Sequence, residues 1–110
     1  MRCIEIITLR STRVVCESVL TEFLRHQVRE GELQAEGKPV DIKIYTQAGM
    51  DSDISIHIHW DKSGKCVNKS SIGFNIVQEL KCFGLISHSI WIEKGSKSTE
   101  LRKVEIRTVS

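Results

Sequence analysis

The stretch Ile54-Ser55-Ile56-His57-Ile58-His59-Trp60 alternates apolar and polar residues without interruption. An alternation of period two is typical of a β-strand with one apolar face and one polar face. The polar face carries Ser55, His57 and His59, so two imidazoles project from the same side of the strand. The stretch therefore predicts a half-buried strand whose polar face holds the most concentrated chemistry in the chain.

Segments on either side of this strand complete a recognisable order of elements. The patterns predict strand, helix, strand, strand, helix, strand, with the bounds Cys3–Leu9, Ser11 or Thr12 to Arg29, Val40–Thr46, Asp53–Trp60, Ser70 or Ser71 to Phe83, and His88–Glu93. This is the order of a ferredoxin-like βαββαβ sandwich. We expect one α+β domain over residues 1–93, with both helices on one face of a four-stranded antiparallel sheet and strands one and three in its centre.

Local signals set the ends of the two helices. Ser11 is a suitable N-cap for the first helix, Gly31 is its natural stop, and Gly84 is expected to end the second helix in a Schellman-like turn. The inner stripe of the first helix is expected to contain Cys16, Val19, Leu20, Phe23, Leu24 and Val28.

The last segment, residues 94–110, begins polar and ends in an alternating run with Val104, Ile106 and Thr108 on one side. Such a run is compatible with a fifth strand, either at the edge of the sheet or paired with a partner chain. A frayed tail is the alternative.

The distribution of apolar residues indicates that the sheet needs a second cover. The first strand is apolar on both faces, since Ile4 and Ile6 lie opposite its other apolar residues. Tyr45 and Trp91 fall on the face opposite the isoleucines of their own strands. Two helices cover only one face, and a large apolar patch left in water is unusual for a monomer. We therefore expect a homodimer in which two sheets face each other.

This arrangement resembles the dimeric α/β-barrel superfamily, which includes antibiotic-biosynthesis monooxygenase-like proteins, haem-degrading monooxygenases and stress-responsive barrel proteins. The stretch Leu80-Lys81-Cys82-Phe83-Gly84-Leu85-Ile86-Ser87-His88-Ser89-Ile90-Trp91-Ile92-Glu93 is similar to the helix end and last strand of a bacterial branch with this topology. The resemblance implies an interior cavity on the sheet face away from the helices. It transfers no activity and no residue role, because fold-level likeness is a weak argument for function.

His57 and His59 are the candidate catalytic residues, and Tyr45, Ser55 and Trp91 are the candidate ligand-binding residues. If the isoleucines of the third strand face the helices, these histidines face the expected cavity. Imidazole can act as an acid, a base or a metal ligand near neutral pH. The simplest interpretation is nevertheless structural, with hydrogen bonds to neighbours such as Glu5, Tyr45 or Asp41.

A metal site on the two histidines would need a third ligand, for which His88, Asp61 and Glu93 are the candidates. His88 is a poor one, because it shares its strand face with Ile90 and Ile92. Two histidines without a carboxylate at matched spacing are weak grounds for a metal. We therefore predict no metal site, and the sequence identifies no cofactor.

Composition narrows the class of protein. The chain of 110 residues has 16 basic and 14 acidic side chains, a net charge of +2, which gives no electrostatic reason to expect nucleic acid or an anionic membrane as partner. No signal peptide is recognisable, so we expect a cytoplasmic protein. The cysteines have no metal-binding spacing; those on predicted elements, Cys3, Cys16 and Cys82, are expected to be buried thiols, and Cys66 is the best candidate for an exposed one.

Three functions agree with these observations. The first is a protein that binds or transforms a small molecule in a cavity on the sheet face, centred on the two histidines. The second is a regulatory ligand-binding module that binds at a dimer edge after the first strand, through Thr8, Ser11 and Thr12. The third is a structural dimerisation module without catalysis. The location of the cavity separates them.

Overall fold

The computed structural model describes residues 2–32, 39–61 and 69–94. It contains four strands, two α-helices and one short 3-10 helix within those ranges. Their bounds are β1 (Arg2–Ser11), α1 (Glu17–Glu32), β2 (Asp41–Gln47), β3 (Met50–Asp61), α2 (Ser71–Leu80), a 3-10 turn (Lys81–Phe83) and β4 (Gly84–Ile92). The predicted order of elements and the α+β class are confirmed.

The four strands form an antiparallel sheet in the order β2-β3-β1-β4. β1 and β3 are therefore the central strands, as predicted. β2 and β3 form the expected hairpin, but its loop is shorter than the sequence suggested, because β3 begins at Met50 and pairs with Gln47. Gly49 has a φ of +81°, a backbone conformation that glycine adopts at little cost.

Strict alternation along the central strands places the core on one face of the sheet. We call this the helix face, because apolar residues of both helices pack on it, and the opposite side the open face. The buried core consists of Cys3, Ile7, Leu9, Leu20, Leu24, Ile54, Ile56, Ile58, Trp60, Ile72, Ile76 and Leu80. The prediction that both helices cover the same face is thus confirmed.

The first helix begins at Glu17, five residues after the later of the two predicted starts. Ser11 does not cap it, because Ser11 is still part of β1 and its hydroxyl donates to the carbonyl of Phe83 at 3.2 Å. The carbonyl of Cys16 accepts from the Leu20 amide at 3.0 Å instead. Cys16 precedes the helix and is exposed, and Val19 in the first turn is 64% exposed, so the predicted inner stripe was wrong at these two positions.

The end of the second helix also differs from the prediction. The α-helix stops at Leu80, a 3-10 turn follows, and β4 begins at Gly84 rather than at His88. Gly84 has an extended backbone, with φ of 163°, so it does not form a Schellman-like turn. A Cβ at this position would lie 3.0 Å from the Cα of Ser11, and the close approach of β1 and β4 explains the glycine.

The thiols and the remaining segments complete the comparison with the sequence. Cys3 is buried as expected, whereas Cys16 and Cys82 are exposed, because both lie at element ends rather than on inner helix faces. Cys66 and the possible fifth strand of the tail lie outside the described residues. Within the described part of the chain, no helix has both the length and the apolar character needed to cross a membrane.

Candidate functional site

Strand register arranges the open face in three rows that run from β2 across to β4. We name them by their chemistry. The aromatic row is Asp41, His59, Ile4 and Trp91; the imidazole row is Lys43, His57, Ile6 and Ser89; and the hydroxyl row is Tyr45, Ser55, Thr8 and Ser87. Since a strand rises about 3.3 Å per residue, the outer rows are about 13 Å apart.

The predicted candidates lie together on this face. Ile54, Ile56 and Ile58 are buried on the helix face, which places the alternate residues Ser55, His57 and His59 on the open face. Tyr45 and Trp91 lie on the same face at opposite edges of the sheet, 47% and 62% exposed. The structure thus places all five candidate residues on one surface, although the two aromatics are separated by two strands.

His57 has the most defined surroundings of the two histidines. Its Nε2 lies 3.0 Å from the hydroxyl oxygen of Ser55, and its ring packs against Tyr45 with centroids 4.6 Å apart and planes tilted by 49°. Burial lowers the pKa of His57 below the ordinary imidazole value, and the charges of His59 and Lys43 lower it further. A neutral imidazole therefore predominates at pH 7 and can accept a proton or a hydrogen bond.

His59 differs from His57 in its hydrogen bonding. Its Nε2 is shielded from solvent and has no hydrogen-bond partner among the described residues. Asp41 is its register neighbour on β2, but the Asp41 carboxylate accepts from the amide of Ile42 at 2.9 Å. A shielded imidazole nitrogen without a partner carries a desolvation cost, so a partner from outside the described chain would be favourable.

Possible metal ligands do not converge on the two histidines in the described ranges. His88 lies on the helix face, as its parity indicated, and it contacts Glu5 there. No group of three histidine, cysteine, aspartate or glutamate side chains in the described part of the chain is placed to hold a metal ion. The sequence-based suggestion that Glu5 bonds the two histidines was wrong, because Glu5 faces the helices.

Two clefts lie at the two ends of the sheet. One has a volume of about 470 Å³ and is lined by all four residues of the hydroxyl row together with Leu85 and residues at the strand ends. The other, also about 470 Å³, includes all four residues of the aromatic row in its lining. The imidazole row lies between them, so the three rows form one continuous surface with a recess at each end.

Two side-chain hydrogen bonds involve residues of β4 on the open face. The hydroxyl of Thr8 bonds the hydroxyl of Ser87 across the β1–β4 pair. The indole N–H of Trp91 donates to the hydroxyl of Ser89 at 3.0 Å. These bonds orient polar atoms of β4 along the open face, which a single-strand pattern cannot show because they depend on register and rotamer.

In the alternative ligand site predicted after the first strand, Ser11 and Thr12 form hydrogen bonds within the protein. Ser11 donates its hydroxyl proton to Phe83 and accepts from the amide of Arg13 at 3.2 Å. The Thr12 amide donates to the same Phe83 carbonyl at 3.3 Å. These bonds attach the segment between β1 and α1 to the 3-10 turn. The third residue of the alternative site, Thr8, belongs to the hydroxyl row instead.

A buried polar cluster on the helix face was missed at the sequence level. Glu5 is 1% exposed, and its carboxylate accepts from the indole N–H of Trp60 at 2.7 Å, the amide of Ser70 at 3.1 Å and Nε2 of His88 at 2.8 Å. Ser70 in turn caps α2 by accepting from the amide of Gly73 at 2.9 Å. The signal was available, since Glu5 shares its parity in β1 with Cys3, Ile7 and Leu9.

Comparison with known proteins supports the fold and no more. The structure of Rv0793 from Mycobacterium tuberculosis superimposes with a TM-score of 0.55 at 11% sequence identity, over 87% of this chain and 98% of that one. No protein-family model matches the sequence, and no curated protein matches it. A likeness at this identity, together with four antiparallel strands and two helices, fits a ferredoxin-like fold.

Proposed function

We propose that this protein binds a small molecule on the open face of its sheet, and that a second copy of the chain covers the site as in a dimeric α/β barrel. One observation carries the proposal. The open face combines an exposed Trp91, an exposed Tyr45 and a shielded His59 nitrogen without a partner in the described chain. Apolar surface and an unpartnered polar atom on the same face favour burial by a ligand or a partner.

The area of the open face is large enough for a second copy of the chain to bind there. The four strands are 7 to 12 residues long, and together they offer a face of roughly 550 Å². Two such faces would bury about 1,100 Å², which exceeds the roughly 1,000 Å² that a biological interface needs and lies just below the standard range. In an isologous pair of this kind the ligand lies between the two sheets, across the imidazole row and in the recesses at the ends of each sheet.

His57 is the group on this surface best suited to exchange a proton with a bound molecule. Its lowered pKa keeps the imidazole neutral at pH 7, and Ser55 and Tyr45 hold its ring in position. The proposed role is a hydrogen-bond acceptor or general base toward an acidic proton of the ligand. A site of this type serves binding and catalysis equally, and the regulatory and structural alternatives lack a comparable constellation among the described residues.

The test has an assembly part and a binding part. Sedimentation velocity is expected to show a dimer for the unmodified protein and a monomer for Ile6→Asp, which places a charge in the middle of the open face. Phe74→Asp is the matched control, because Phe74 is 58% exposed on α2 in the other layer. A monomeric unmodified protein would refute the dimer, and equal effects of the two substitutions would refute an interface on the open face.

Binding is tested by ¹⁵N-resolved NMR with a library of soluble aromatic and aliphatic fragments. The proposal predicts that fragments which bind shift the amide signals of Ile4, His57 and Trp91. The double substitution His57→Ala and His59→Ala is expected to weaken the binding of these fragments. Fragments that shift only residues of α1 and α2, or that bind the double variant equally well, would show that the open face is not the site.

A further inference from the structure

Along β1 and β4 the open face changes from polar to apolar in one direction, from Thr8 and Ser87 through Ile6 and Ser89 to Ile4 and Trp91. The hydroxyl row carries a hydroxyl oxygen on every strand and contains no carboxylate, amine or guanidinium group. In the aromatic row, Asp41 and His59 on β2 and β3 are polar, whereas Ile4 and Trp91 on β1 and β4 are apolar. A molecule that lies along β1 and β4 therefore meets the hydroxyl groups of Thr8 and Ser87 at one end and an apolar, aromatic surface at the other.

Each end has its own recess, and the separation of the two sets the length of a ligand that reaches both. The cleft at the hydroxyl row and the cleft at the aromatic row each measure about 470 Å³. Four residues of strand separate the rows, a distance of about 13 Å. A compact molecule fills one recess only, whereas an elongated one occupies both and crosses His57.

Hydrogen-bonding capacity identifies the chemistry of the polar end. A hydroxyl group has one donor and two acceptor positions. Thr8 and Ser87 use one proton between them in their mutual bond, and Ser55 shares one bond with His57. The row therefore keeps both donors and acceptors for a ligand, which suits hydroxyl, carbonyl or ether oxygens that carry no charge.

The charges around the hydroxyl row do not favour an ionic head group. Arg10 and Asp53, which line the same cleft, lie 4.0 Å apart as an ion pair. Lys43 belongs to the next row, where it pairs with His57. Asp41 precedes Lys43 by two residues on β2 and lies farther from the cleft. The two charged side chains that line this cleft are therefore of opposite sign.

Building on the proposed function, we infer that the ligand is an uncharged, elongated amphiphile, with a hydroxylated head on the hydroxyl row and a flat apolar end against Ile4 and Trp91. The inference assigns ligand-contacting roles to Thr8 and Ser87, which the sequence pattern of any single strand does not associate with Trp91. It also gives the ligand an orientation, parallel to the strands and across the imidazole row.

Four neutral or charged probes of related shape test the inference by NMR titration of the full chain. 4-Methylumbelliferyl β-D-glucoside carries a flat ring and a hydroxylated head, 7-methoxy-4-methylcoumarin carries the ring alone, and methyl β-D-glucoside carries the head alone. 4-Methylumbelliferyl β-D-glucuronide keeps the shape of the first and adds a carboxylate. The glucoside is expected to bind at least about fivefold more tightly than each of the others, and relative to the ring alone this gain is that of roughly one additional hydrogen bond.

Variants locate the head group. Ser87→Ala is expected to weaken binding of the glucoside about fivefold, the contribution of one hydrogen bond, and to leave the affinity for the coumarin unchanged. Trp91→Ala is expected to weaken the binding of both probes. Ser18→Ala removes a hydroxyl from α1 and is the control, which should change neither affinity.

Each outcome separates the inference from the function on which it rests. Equal binding of the glucoside and the coumarin at Trp91, insensitive to Ser87→Ala, would overturn the inference while leaving a site on the open face. Tighter binding of the glucuronide would overturn the uncharged head. If no probe shifts any residue of the open face and the fragment screen finds no ligand there, the proposed function itself is wrong.

Discussion

His88 Nε2 donates to the carboxylate of Glu5 at 2.8 Å, and both side chains are buried between the sheet and α2, with 9% and 2% of their surfaces exposed. The pair joins the central strand β1 to the edge strand β4. Bonds from Trp60 and Ser70 to the same carboxylate add β3 and the start of α2. One acidic side chain thus holds four elements of the fold, on the face of the sheet opposite the candidate site.

Replacement of Glu5 is expected to be strongly destabilising. Glu5→Ala removes the carboxylate to which three buried groups donate, and breaking a buried pair of this kind costs about 3–5 kcal/mol. Chemical denaturation monitored by circular dichroism measures the loss. Glu79→Ala, on the exposed side of α2, is the control and should change stability by less than about 0.5 kcal/mol. A Glu5→Ala variant as stable as the control would show that the cluster contributes little.

Gly73→Ala is expected to destabilise the protein, although alanine is the better helix former. A Cβ at position 73 would lie 2.9 Å from Nε2 of His88 and closer still to the carboxylate of Glu5. Overpacking of this kind costs about 1–3 kcal/mol. Denaturation of Gly73→Ala and of Gln78→Ala, an exposed position of the same helix, gives the comparison.

A double-substitution cycle identifies the cause. In the Glu5→Ala background the added methyl group meets no carboxylate, so the cost of Gly73→Ala should shrink. An unchanged cost in that background would attribute the effect to the contact with His88 or to the backbone of α2 instead.

Stability should depend on pH through His57. Because the folded state lowers the pKa of His57, the unfolded chain binds this proton more readily, and stability falls as the pH drops below the unfolded value of about 6.5. His57→Asn should therefore flatten part of the decline in unfolding free energy between about pH 7.5 and pH 5.5. His26→Asn, an exposed position on α1, is the matched control. Identical pH profiles for His57→Asn and the unmodified protein would contradict the assignment.

Cys16 should be the most reactive thiol among the cysteines of the described segments. The hydroxyl of Ser18 and then the amides of Val19 and Ser18 lower the pKa of its exposed thiol, which raises the thiolate fraction at neutral pH. Alkylation with iodoacetamide, followed by peptide mass spectrometry, should modify Cys16 before Cys82 and leave Cys3 unmodified. Ser18→Ala should slow the reaction, and equal rates at Cys16 and Cys82 would argue against the effect.

The pattern along the chain was sufficient for the fold, because a period of two and a helical period report directly which side of an element is apolar. The alternation from Ile54 to Trp60 predicted the face on which His57 and His59 lie. Element ends were less predictable: Ser11 has the chemistry of a helix cap, yet the pairing of β1 with β4 retains it in the sheet. The sequence pattern carries no information on which of two competing partners a backbone segment selects.

What the sequence by itself determined is the order of elements, the two faces of each strand and the set of aromatic and imidazole side chains on the open face. Only the tertiary structure decided the rows, since the alignment of Tyr45, Ser55, Thr8 and Ser87 requires the register of three strand pairs. The same holds for Glu5 and His88, which are 83 residues apart in the chain. Local periodicity follows from backbone geometry, whereas contacts between distant residues depend on how the elements pack.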